Sequence, residues 1–80
     1  MLDPKKLEMW IVNDLPCEHL TVEGDGAHFS ALIVSNEFAG LNRIKRQQRV
    51  NAILNQHFYS GELHALSMQT LTPDEWRTHG

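Results

Sequence analysis

Five histidines, one cysteine and a cluster of four cations are the residues of this 80-residue chain that offer chemistry beyond packing. The histidines are His19, His28, His57, His64 and His79. No two of them stand four apart, the spacing that lets one helix face hold a metal, and neither CxxC nor HExxH occurs. A closed zinc site is therefore not expected. His28 follows a Gly-Asp-Gly turn near the mouth of a hairpin. His64 opens an apolar stretch, on the same side as Leu66 and Met68. For either one alone, a plain structural or surface imidazole is the simpler reading. His57 falls on the apolar face of a long helical segment, as a satisfied and partly buried histidine. His19 and His79 carry no signal.

Nucleophilic chemistry has little support. Cys17 follows Pro16, has Glu18 beside it and no neighbouring cation to lower its pKa, so an inert thiol is expected. There is no GxSxG and no P-loop, and Gly24-Asp25-Gly26 lacks the rest of a phosphate-binding fingerprint. The carboxylates are scattered over caps and loops without an acid/base pair. An enzyme is not expected.

The cations are Arg43, Lys45, Arg46 and Arg49, four of the seven Lys and Arg residues. They occupy the first two turns of a helical segment, where the macrodipole disfavours positive charge by a few tenths of a kcal/mol. Local stability did not select them. A solvated face accounts for them, and so does an anionic partner, either a nucleic-acid backbone or an acidic protein surface. A connector leading into a basic helix is similar to helix-turn-helix DNA readers, although no full bihelical unit precedes Gly40. The net charge of −3 argues against a dedicated nucleic-acid binder.

Those residues must be held by a small frame. Eighty residues suffice for one domain, residues 1–80, and leave little core for a deep cavity. No apolar run approaches the ~18 residues that cross a bilayer, and the N-terminus lacks the apolar stretch of a signal peptide. With one cysteine there is no internal disulfide, which fits a reducing compartment, so a cytoplasmic protein without membrane association is expected.

Asp3 as N-cap, Pro4 at the first helical position and Leu7, Trp10, Ile11 and Leu15 at helical spacing predict a first helix, stopped by Pro16. Alternation predicts strands over 18–23 and 27–34, joined at Gly24-Asp25-Gly26 as an antiparallel hairpin. A connector over 35–42 leads into a helix over 43–58, with Val50, Ile53, Leu54, His57 and Phe58 on one face. Ser60-Gly61 ends it. A third strand over 62–71 follows. Thr72-Pro73-Asp74-Glu75 then opens a short helix anchored by Trp76. The order α-β-β-α-β-α predicts an α+β fold with a three-stranded mixed sheet and helices on one face. A parallel crossover between strands two and three should be right-handed.

Four stretches, taken together, resemble the BolA family. They are Asp25-Gly26-Ala27-His28-Phe29; Val34-Ser35-Asn36-Glu37-Phe38-Ala39-Gly40; Lys45-Arg46-Gln47-Gln48 with Val50-Asn51; and Leu63-His64-Ala65-Leu66 followed by Leu71-Thr72-Pro73-Asp74-Glu75-Trp76. They stand in family order and span nearly the whole chain. The resemblance implies an αββαβ(α) fold similar to the class II KH arrangement. It also implies a heterodimer with a monothiol glutaredoxin, the pair holding a [2Fe–2S] cluster between them, with no cofactor in the isolated chain and a monomer or weak homodimer when alone. Imidazole is a suitable iron ligand in such mixed nitrogen and sulfur sites.

By position, His64 matches the family histidine that precedes Ala-Leu, and the resemblance makes it the first ligand. The second family ligand lies in the hairpin loop and is usually His or Cys. Here that loop offers Asp25, with His28 a few residues on at the start of the second strand, so the second ligand stays open, with His28 the residue nominated. Where many members read Arg-His-Arg, this chain has Arg46-Gln47-Gln48, which is similar to the IbaG-type branch. DNA binding and transcriptional regulation, linked to stress response, are attributed to the family through this helix, and the alternative function rests on Arg43, Lys45, Arg46 and Arg49. The leading expectation is an adaptor in iron–sulfur and iron homeostasis.

Overall fold

A computed structural model describes residues 2–79. The first helix, α1 (Pro4–Asp14), starts where Asp3 accepts the backbone N–H of Lys5 at 2.8 Å, with Pro4 in the first turn. Its stripe Leu7, Ile11 and Leu15 is fully buried. Strands β1 (His19–Gly24) and β2 (His28–Val34) form the hairpin. Between them Asp25 accepts from Ala27 N at 3.0 Å and His28 N at 2.9 Å, and Gly26 takes φ 99°. Gly24 has its own reason to lack a side chain: a Cβ there would meet Phe29 Cδ1 at 2.3 Å and the His28 carbonyl at 2.7 Å.

The connector is organised by Ser35. Its fully buried hydroxyl donates to Pro16 O at 2.7 Å and accepts from Glu37 N at 3.2 Å, capping a single 3₁₀ turn (Asn36–Phe38). That turn drives Phe38 into the core. Gly40 reverses the chain at φ 81°, and Asn42 caps α2 (Arg43–Tyr59) by accepting Lys45 N at 2.9 Å. Strand β3 (Ala65–Leu71) is followed by α3 (Pro73–His79). Thr72 and Glu75 make a reciprocal capping box at its start, at 3.2 and 2.8 Å.

The sheet order is β1-β2-β3, with β1 antiparallel and β3 parallel to β2. This is the mixed three-stranded sheet and the α+β class that the sequence predicts. The register aligns whole rows: Val22, Ala31 and Met68 lie side by side, and so do Glu23, Ser30 and Ser67. Because side chains alternate, the first row packs beneath α1 and α2 with Phe29, Ile33, Val50 and Leu54. The second row belongs to the opposite, exposed face with Thr21 and Gln69. The helix α3 closes the far end, where Trp76 stacks on His19 with ring centroids 4.7 Å apart. Within the described residues no helix is long and apolar enough to cross a membrane.

Strand β3 begins at Ala65, three residues later than predicted, and the helix end explains why. Gly61 takes φ 83°, and the backbone N–H of Leu63 returns to His57 O at 3.1 Å. Residues 60–63 therefore wrap the C-terminus of α2 instead of pairing with β2, and Leu63 plugs the core at 1% exposure.

Candidate functional site

The wrap around α2 decides where His64 sits. With Leu63 directed inward, the next residue stands exposed at the lip of the sheet, immediately before β3. It borders a hollow of about 390 Å³ shared with Leu2, Lys6, Gly26, Gly61 and Glu62. The hairpin tip thus meets the end of α2 at this histidine. His28 is exposed at the same end of the sheet, because it pairs in register with Ala65. The two imidazoles do not line one hollow, however. His28 shares a row with Ala65 on the exposed face, whereas His64 borders space lined by residues of both long helices. Asp25, in the loop position, is committed: the N–H groups of His28 and Ala27 hold its carboxyl below the usual carboxylate range. Among the described residues, no group of three or more His, Cys, Asp or Glu is placed to hold a metal ion.

Two of the remaining histidines, His57 and His19, are occupied. His57 lies parallel to the Trp10 indole, centroids 3.4 Å apart and planes 8° from each other. Its Nδ1 stands 3.1 Å from Glu62 Oε1, and since a carboxylate only accepts, Nδ1 carries the proton. That hydrogen bond draws the Glu62 pKa down. His57 is the partly buried, satisfied histidine expected from its helix face. His19, which carried no signal in the sequence, stacks on Trp76 across the sheet end. The side chain of His79 lies outside the described residues. Of the four histidines with described side chains, His28 and His64 alone make neither a ring hydrogen bond nor a stack.

Cys17 donates to Leu15 O at 3.3 Å, and burial, then the charge of Glu37, raises its pKa. The thiol is kept protonated, as its sequence neighbours suggest.

The four cations do not form one free patch, which corrects the expectation of a common basic surface. Arg46 is 13% exposed: its Nε donates to Leu41 O at 2.9 Å, and its Nη1 to Thr70 O at 3.1 Å and Glu75 Oε1 at 2.7 Å. Arg49 donates to Asp14 O and Glu37 Oε1, both at 3.0 Å. Arg43 and Lys45 are exposed and make no ion pair among the described residues. Neither the Arg46–Glu75 tie nor the His19–Trp76 stack has a local signature. The nearest clue was the capping-box position of Glu75.

The αββαβα frame, with its mixed three-stranded sheet, is that of a BolA-type domain. The family model described as "BolA-like protein" matches residues 1–75, and the chain belongs to the BolA family. It is similar to "Acid stress protein IbaG" of Escherichia coli K12, 32% identical over 75 residues covering 94% of this chain and 89% of that one. It is 34% identical over 59 residues to "DNA-binding transcriptional regulator BolA" of Haemophilus influenzae, covering 74% of this chain and 56% of that protein. A "bol-like protein" from Babesia bovis superposes with a TM-score of 0.85 at 30% identity, over 99% of this chain and 94% of that one.

Proposed function

We propose that this chain is a BolA-type adaptor that pairs with a monothiol glutaredoxin and gives His64 as a ligand to a [2Fe–2S] cluster held between the two proteins. The observation that carries the reading is the state of His64: an exposed imidazole with no hydrogen-bond partner among the described residues, fixed by Leu63 on one side and β3 on the other. A neutral ring nitrogen free of other duties is what iron ligation requires.

One imidazole is an incomplete site, so the other ligands are assigned to the partner and its glutathione. His28 is the nearest candidate within this chain for a second, its register position bringing it to the same sheet end. The role of the fold here is to hold a ligand rigidly at a surface that another protein can cover. The cluster itself supplies electron transfer or is handed on as cargo. The cytoplasm is the compartment this reading requires. Co-purification with a monothiol glutaredoxin, read by visible absorption and circular dichroism, tests it: the heterodimer should give a spectrum distinct from that of the glutaredoxin homodimer.

A DNA-binding regulator is the second reading, favoured by the similarity to a protein of that name. With Arg46 held in a part-buried clamp and Arg49 engaged by Asp14 O and Glu37 at the surface, it would rest first on Arg43 and Lys45.

A further inference from the structure

The outer edge of β3 is open along the side where α2 runs. In a parallel pair alternate residues turn both backbone groups toward the neighbour, and the others turn theirs away. Ser35 N donates to Leu71 O at 3.0 Å, so Leu71, Gln69, Ser67 and Ala65 face β2. Leu66, Met68 and Thr70 therefore present their N–H and C=O groups outward. The Thr70 carbonyl is taken by Arg46 at 3.1 Å. Among the described residues, no hydrogen bond outside the sheet reaches the outward groups of Leu66 and Met68. Edge strands are usually blunted by Lys, Pro or a bulge. The sequence of β3, ALSMQTL, has neither Lys nor Pro, and its pairing with β2 runs without a bulge.

Beside this edge lies a groove of about 530 Å³. Its wall is a stripe of α2, Arg43, Gln47 and Asn51, at i, i+4 and i+8 on one helix face. Phe58, Leu66 and Met68 supply apolar surface. Arg43 is the one charged residue along the wall, exposed and without an ion-pair partner among the described residues.

We propose that this groove is a strand-addition site, in which an extended, acidic segment of a partner protein joins the sheet along β3 with a carboxylate against Arg43. The available edge from Leu66 to Thr70 suits a segment of about four residues at ~3.3 Å each. Alternating backbone donors and acceptors match another strand, and the groove, mostly polar with Phe58, Leu66 and Met68 as its apolar part, receives every second side chain. A single cation is too few for a phosphate backbone, which selects protein over nucleic acid. Arg46, held by Glu75 and Thr70, ends the site at one end, and His64 stands at the other. The proposal is independent of what His64 ligates.

The test uses the intact, isotope-labelled protein and two short synthetic peptides of alternating Val and Thr, one flanked by Asp and its twin by Lys. The acidic peptide should slow amide exchange at Leu66, Met68 and Thr70 while leaving Ala65, Ser67 and Gln69, already bonded to β2, unchanged. It should bind at least about tenfold tighter than its twin, and Arg43→Glu should reverse that order. Both results are read on the chain alone, with no glutaredoxin and no cluster present, which separates this site from the cluster reading. Equal binding of the two peptides, slowing without the alternation, or no binding of the acidic peptide at millimolar concentration overturns it. So does protection of these amides by an oligothymidine, or by raising the protein concentration alone.

Discussion

Arg46 and Glu75, 29 residues apart, meet at 2.7 Å and tie the second turn of α2 to the first turn of α3. The same guanidinium reaches the carbonyls of Leu41 and Thr70, so one side chain joins the connector, the end of β3 and both helices. A residue that reads as part of a basic surface is, in the fold, a structural clamp.

Arg46→Ala should therefore destabilise the domain by about 2 kcal/mol, because it leaves two carbonyls without their charged donor. Arg46→Lys should recover little of this, since a single ammonium does not reproduce the fork that reaches three acceptors. Urea denaturation followed by far-UV circular dichroism measures both. An Arg46→Ala protein as stable as the parent contradicts the clamp.

The same pair sets a pH dependence. Hydrogen bonding to Arg46, then to the Thr72 N–H, lowers the Glu75 pKa from its ordinary 4.5 to about 2. A carboxylate whose pKa is depressed in the folded state stabilises it above the unfolded pKa, and that contribution is lost as pH falls through the folded value. Stability should fall between pH of about 4.5 and about 2. In Glu75→Gln the slope over that window should be shallower, as read from urea midpoints at a series of pH values.

Trp10 and His57 hold α1 against α2 through their stack. A double-mutant cycle between Trp10→Leu and His57→Ala should show a coupling of about 1 kcal/mol. Additive effects would mean that the parallel rings contribute area alone.

Of the four cations on α2, Arg43 and Lys45 make no ion pair among the described residues. Binding to duplex DNA should stay within the non-specific range of ~10⁻⁴ to 10⁻⁶ M, with a log–log salt slope of about −2. A slope near about −4 would mean that Arg46 and Arg49 leave their protein acceptors to meet phosphates. Fluorescence anisotropy across a salt series distinguishes the two.

Local chemistry made the frame legible. Asp3-Pro4, Gly24-Asp25-Gly26 and Thr72-Pro73 act within one turn of themselves, and each element starts or ends where they stand. The apolar stripes of α1 and α2 show in the same way, since helical spacing dictates which residues are buried. The late start of β3 was hidden because Leu63 is apolar in either setting, and only the return of its N–H to His57 O separates a helix wrap from a strand. The roles of Arg46 and His19 were hidden for a different reason. Their partners, Glu75 and Trp76, are brought near by the sheet register and not by spacing. For the candidate site, the family pattern singled out His64, but only the fold shows its ring exposed and that of His57 engaged.

The central claim concerns His64, and one comparison tests it directly. The chain and its His64→Ala variant are each co-expressed with a monothiol glutaredoxin, and the purified heterodimers are compared by visible circular dichroism. The variant should still fold and should lose or visibly alter the cluster spectrum of the pair. An unchanged spectrum, with the heterodimer intact, would show that His64 is not the ligand.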